Sequence, residues 1–186
     1  MHSETLRLPG LILIKPARHQ DSRGFFMQSY HEPSYRSIGV PGPFPQDNHS
    51  RSTKQTLRGM HYQQAPGQAK LVRVVSGRIF DVAVDIRPSS PTFGQWQGVW
   101  LDATEHHQLY IPNGFAHGFC VVSEVAEVLY KTSSVYDPAM EKGFAYNDPD
   151  INIEWPISAP LVSPRDAQAP SLASVRSSLP DVRVGP

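Results

Sequence analysis

The stretch Leu57-Arg58-Gly59-Met60-His61-Tyr62-Gln63 sets one histidine among anion-binding neighbours. Arg58 precedes it, Lys70 follows it, and QDNHSRS (46–52) lies just upstream. A guanidinium grips phosphate through a planar fork, and an ammonium acts as a point charge. Such a cluster suits an anionic, hydroxyl-rich ligand, and a histidine inside it is either a packed residue or a base. A second histidine, His117, sits in IPNGFAHGF (111–119), where Pro112 and Gly114 turn one strand into the next and aim the ring. No second histidine or acid follows His61 in His61-Tyr62-Gln63-Gln64. Two imidazoles from separate strands fall short of the three or four ligands of a metal site, so none is expected. In a regular strand Arg58 and His61 would face opposite ways. If both serve one pocket, a bulge or strand end must separate them.

The elements that hold these residues read as short strands. Apolar, β-branched runs occur at 11–17, 24–30, 70–75, 78–87, 94–101, 107–112, 118–124 and 126–134, with turn residues between them. Prolines number 18 and glycines 13, and they leave no long helical period. Even spacing of short strands predicts an antiparallel sandwich or barrel. Ser76-Gly77 reads as a tight hairpin, 32–39 as a short helix and 88–94 as a loop. After residue 170 the chain has few large apolar side chains, and 173–186 reads as a flexible tail.

Composition narrows the function classes. The 186 residues fit one domain, large enough to bury a core without staples. Lys+Arg and Asp+Glu balance at 17 each, so the broad basic field of a nucleic-acid binder is lacking. No run approaches the ~20 apolar residues of a membrane span. The N-terminal MHSETLRLPG lacks the pattern of a signal peptide. Cys120 is the single cysteine, which fits a reducing, cytoplasmic setting.

Within IPNGFAHGF, the spacing Pro112-x-Gly114-x-x-His117 resembles the second motif of the cupins, small double-stranded β-helix barrels. Eight stretches together resemble the dTDP-4-dehydrorhamnose 3,5-epimerase family: DSRGFF (21–26), QDNHSRS (46–52), LRGMHYQ (57–63), QAKLVRVVSGRIFDVAVDIR (68–87), LYIPNGFAHGF (109–119), YKTSSVYDPAMEKG (130–143), NDPDINIEWP (147–156) and SPRDAQAP (163–170). The resemblance implies an all-β cupin-type jelly-roll barrel with short flanking helices over residues 1–172. It implies epimerisation of dTDP-4-dehydro-6-deoxy-D-glucose at C3 and C5, without metal or redox cofactor.

By this resemblance His61 is the base and Asp166 the carboxylate that fixes its tautomer. Lys70 would stabilise the enolate oxygen, and Tyr130 would return a proton to the opposite face. The substrate contacts it implies are Gln46, Asp47, Asn48, Arg58, His117, Tyr136, Glu141 and Arg165. Arg23 and Gln28 would be lent by a neighbouring subunit of a homodimer that exchanges N-terminal strands. Arg165 stands where the family usually has lysine, and Gln28 where it usually has an acid. The alternatives are inversion of one carbon only, a 3,4-ketoisomerase, or a cupin that binds a nucleotide sugar without turnover.

Overall fold

Alternating inward and outward side chains organise the chain into facing sheets. The computed structural model describes residues 1–180 and 182. The strands are β1 (His2–Thr5), β2 (Ile12–Lys15), β3 (Arg18–Asp21), β4 (Gly24–Met27), β5 (Gln46–Thr53), β6 (Leu57–Gln63), β7 (Lys70–Ser76), β8 (Arg78–Asp85), β9 (Trp96–Asp102), β10 (Gln108–Ile111), β11 (Phe115–Val121), β12 (Val125–Thr132) and β13 (Glu141–Gly143). Three short helices flank them: α1 (Glu32–Arg36), α2 (Pro164–Ala167) and α3 (Leu172–Val175).

Six strands form one antiparallel sheet in the order β1-β2-β10-β7-β12-β5, and five form a second in the order β13-β6-β11-β8-β9. Successive strands in the chain cross repeatedly from one sheet to the other, as a jelly-roll barrel requires. Strands β3 and β4 form a separate two-stranded hairpin. Ser76-Gly77 is not a hairpin turn, because β7 and β8 belong to opposite sheets. Gly77 has φ +77°, and a Cβ there would lie 2.0 Å from the Val125 carbonyl oxygen. The glycine is needed for a corner between sheets rather than for pairing of its neighbours.

The apolar face of each sheet finds a partner. Val72, Val74, Ile79, Leu101, Val121 and Val128 fill the space between the sheets. The outer face of the five-stranded sheet, through Met60, Tyr62, Val82 and Val84, packs against Phe144, Ile151, Leu172 and Leu179 from the C-terminal third. Tyr35 of α1 covers Ile12, Ile14 and Leu71 on the outside of the six-stranded sheet.

Part of the segment read as a flexible tail therefore has a fixed place. Residues 172–175 and 176–178 form short helical turns, and Leu179 is buried. The Ser171 hydroxyl caps α3, and the Leu172 amide donates to Asp148. Two well-placed leucines and a cap suffice to dock a segment whose average composition is polar. Positions 181 and 183–186 of that tail lie outside the described residues. Among the described residues no helix is long and apolar enough to cross a membrane.

Candidate active site

At one end of the barrel the inward side chains change from apolar to polar and line a cavity of about 680 Å³. Strand period sets which residues reach it. On β5, Gln46, Asn48 and Ser50 point inward. Asp47 points the other way and pairs with Lys131 on the outside of the sheet, 2.8 Å away. Asp47 thus does not join the other candidate contacts, because its neighbours hold the inward positions.

Arg58 and His61 both line the cavity, and the geometry that allows this is a bulge in β6. His61 lies opposite His117 and Arg58 opposite Phe119, so β6 spends three steps where β11 spends two. Gly59, inside the bulge, has φ +126°, and a Cβ there would lie 2.6 Å from Gly118 Cα. Only a glycine permits so close an approach of β6 to β11.

His61 Nε2 lies 2.7 Å from Asp166 Oδ1. Asp166 comes from α2, far along the chain, and three features fix it. The Ser163 hydroxyl caps α2 by accepting from the Asp166 amide, 3.1 Å away. Pro164 begins the helical turn. The Gly59 amide donates to Asp166 Oδ2 at 3.3 Å. Burial works to raise the Asp166 carboxyl, but the His61 hydrogen bond and charge and the Gly59 amide outweigh it, leaving the group below the usual carboxylate range. An ionised partner on Nε2 leaves the other ring nitrogen, Nδ1, free for chemistry.

Lys70 begins β7 and Tyr130 lies near the end of β12, and both line the same cavity as His61. Burial lowers the Lys70 ammonium to about 8, against the raising charges of Glu141 and Asp81. Burial, then the charge of Glu141, raises the Tyr130 phenol, against a smaller pull from Arg58. The phenol is therefore a proton holder at neutral pH, and the ammonium is still mostly charged there. At the cavity mouth Glu141 accepts hydrogen bonds from the Tyr136 hydroxyl, 2.9 Å away, and from Arg165. Burial raises Glu141, yet the Arg165 and Tyr136 hydrogen bonds bring it below its ordinary value.

Arg23 and Gln28 lie apart from this cavity. Arg23 sits at the exposed tip of the β3–β4 hairpin, bonded to Asp21, and Gln28 is exposed just after it. Strand β1 pairs with β2 of its own chain.

Four contributors were not singled out in the sequence. Asp81 is wholly buried and lies 2.9 Å from His117 Nε2. Gln63 and Gln68 line the cavity wall. Ser163 holds the Asp166 turn, and its Ser-x-x-Asp spacing was the available signal. Asp81 had no such signal, since its neighbours Phe80 and Val82 read simply as a strand.

Comparison with known proteins identifies the family. The family model described as dTDP-4-dehydrorhamnose 3,5-epimerase matches residues 5–174. A Pseudomonas aeruginosa dTDP-4-dehydrorhamnose 3,5-epimerase is 49% identical over 175 residues, covering 93% of this chain and 97% of the relative. A Streptomyces niveus dTDP-4-dehydrorhamnose 3-epimerase is 42% identical over 178 residues, covering 95% and 86%. Among solved structures, an epimerase from Legionella pneumophila in complex with dTDP-4-keto-L-rhamnose is similar with TM-score 0.94 and 43% identity over 98% of each chain. A match over nearly the whole chain and a shared barrel together place this chain in the dTDP-4-dehydrorhamnose 3,5-epimerase family.

Proposed function

We propose that this protein epimerises dTDP-4-dehydro-6-deoxy-D-glucose at the two carbons flanking its C4 ketone, giving dTDP-4-dehydro-L-rhamnose. The observation that carries the reading is the convergence of His61, Lys70 and Tyr130 on one cavity, with Asp166 behind the histidine.

A C–H beside a ketone becomes acidic only if the enolate is stabilised as it forms. His61, its Nε2 tied to Asp166, takes the proton through its free Nδ1. The Lys70 ammonium faces the developing oxyanion in a site partly withdrawn from water, where a fixed charge acts strongly. Inversion then requires a proton from the opposite face. Tyr130 supplies it from β12, on the sheet facing the one that carries His61. Electron flow returns the carbonyl, and no net oxidation occurs, so no redox cofactor enters the balance. Gln46, Asn48, Arg58 and His117 supply donors for the sugar and its diphosphate, and Tyr136, Glu141 and Arg165 form the mouth.

The working unit in this reading is a homodimer in the cytoplasm. Phe25 and Phe26 on β4 are 52% and 72% exposed, beside Arg23 and Gln28, which their own cavity does not use. An apolar, charged-tipped hairpin of this kind suits insertion beside a neighbour's site. Light scattering that finds only monomer at assay concentration removes this part of the reading.

The reaction is tested by incubation with the 4-keto sugar in heavy water, with chelator present. Deuterium at both C3 and C5 is the expected outcome. Label at C3 alone would favour the monoepimerase activity of the Streptomyces relative's name, and no label with tight binding would leave only a binding protein.

A further inference from the structure

We propose that Asp81 is a positioning residue of this site, a buried carboxylate that turns His117 into the cavity and stands as counter-charge to Lys70. The inference rests on the epimerase reading for its catalytic meaning.

Asp81 lies on β8 between Ile79 and Ala83, which point into the apolar core. It is 0% exposed. A carboxylate in such a place is tolerated only where donors and cations surround it. His117 Nε2 provides one donor, at 2.9 and 3.1 Å from its two oxygens. With Nε2 so engaged, the His117 Nδ1 makes no hydrogen bond to the described residues, and the ring lines the cavity. His117 is also the cross-strand partner of His61, whose Nε2 is likewise held by a carboxylate. Two imidazoles thus sit side by side, each fixed from behind through the same nitrogen.

Lys70 is the second cation. The carboxylates whose charge acts on its ammonium are Glu141 from β13 and Asp81 from β8. His61 and Arg58 from β6, His117 from β11 and Tyr130 from β12 share its cavity. Burial draws the ammonium toward its neutral form, and these two carboxylates oppose that. Glu141 is already engaged by Arg165 and Tyr136. Among the described residues Asp81 has no guanidinium or lysine within 4.0 Å, Lys70 included, so it acts on Lys70 as a nearby charge and not as an ion-pair partner. Its removal should therefore weaken the charge that lets Lys70 hold an enolate.

The test reads Lys70 directly in the intact protein. Competitive acetylation with trace acetic anhydride, followed by mass spectrometry, gives the pH midpoint at which Lys70 becomes reactive. In Asp81→Asn the midpoint should fall by about one pH unit, a tenfold change in ionisation ratio. In His117→Asn, which keeps the Asp81 charge, it should not fall. If Asp81→Asn does not fold, Asp81→Glu is the second variant. It should keep the wild-type midpoint while raising KM through the displaced His117. A midpoint unchanged in Asp81→Asn, or an equal fall in His117→Asn or Asp81→Glu, overturns the proposal. Heavy-water exchange on the same preparations separates the two readings. A wild type that shows no exchange, with the midpoint still shifting in Asp81→Asn, sinks the epimerase assignment and leaves the action of the Asp81 charge on Lys70 standing.

Discussion

The two ends of the barrel interior are built from the same strands and differ in what those strands present. Along β7 the inward residues run Lys70, Val72, Val74, and along β12 they run Tyr130, then Val128. β11 runs His117, Phe119, Val121. In each case the strand begins or ends polar at the cavity and becomes apolar within two or four residues. The apolar end stabilises the barrel by burial, about 25 cal/mol per Å² of apolar surface removed from water. The polar end withdraws an ammonium and two carboxylates from water and so works against folding. One end is therefore optimised for stability and the other for reaction.

Substitutions along a single strand test that contrast. The largest expected effect is at His61: His61→Ala should lower kcat for deuterium exchange by about 10²–10⁴-fold, with folding retained by circular dichroism. A variant within tenfold of wild type would separate His61 from proton transfer.

Lys70→Met comes next, and it should move activity and stability in opposite directions. Activity should fall by about 10²–10³-fold with the loss of the oxyanion cation. Stability at pH 7 should rise by about 1–3 kcal/mol, because burial costs the Lys70 ammonium more than the charges of Glu141 and Asp81 return to it. The sign follows from linkage. Folding lowers the Lys70 value from 10.5 to about 8, so the unfolded chain holds a proton that the folded chain releases in that interval. The penalty is complete below about pH 8 and fades as pH rises toward 10.5. Denaturation at pH 7 and pH 10 should therefore show a clearly larger gain at the lower pH. A loss of stability at pH 7 would contradict the division of the interior.

Val74→Ala, at the apolar end of the same strand, is the smallest of the three. It should cost about 1–3 kcal/mol in urea denaturation and leave kcat of the folded fraction within about threefold. A large loss of kcat without loss of stability would mean that the two ends are coupled.

Much of this arrangement was legible in the amino-acid order. Short apolar runs between turn residues mark the strands, and the mismatch in facing between Arg58 and His61 demands the bulge that β6 contains. The crossing of sheets was not legible at Ser76-Gly77, because a glycine turn reads the same whether the next strand pairs with its neighbour or crosses to the opposite sheet. The outward direction of Asp47 was readable from alternation once Gln46 and Asn48 were taken as inward. The family resemblance grouped all three without regard to facing. The docked turn at 172–179 was hidden by composition, since Leu172 and Leu179 count for little in an average but fill specific gaps. Asp81 was hidden because a buried carboxylate among strand residues is distinguished only by what touches it in three dimensions.

The carboxylate behind His61 arrives 105 residues later in the chain. On the proposed reaction, a ribosome that has released every strand of the barrel has not yet supplied the group that fixes the tautomer of the base, which comes with Pro164–Ala167. On that reading competence for proton transfer is acquired late in synthesis, and a chain that stops before Ser163 lacks both this carboxylate and the Leu172 and Leu179 side chains that cover the five-stranded sheet.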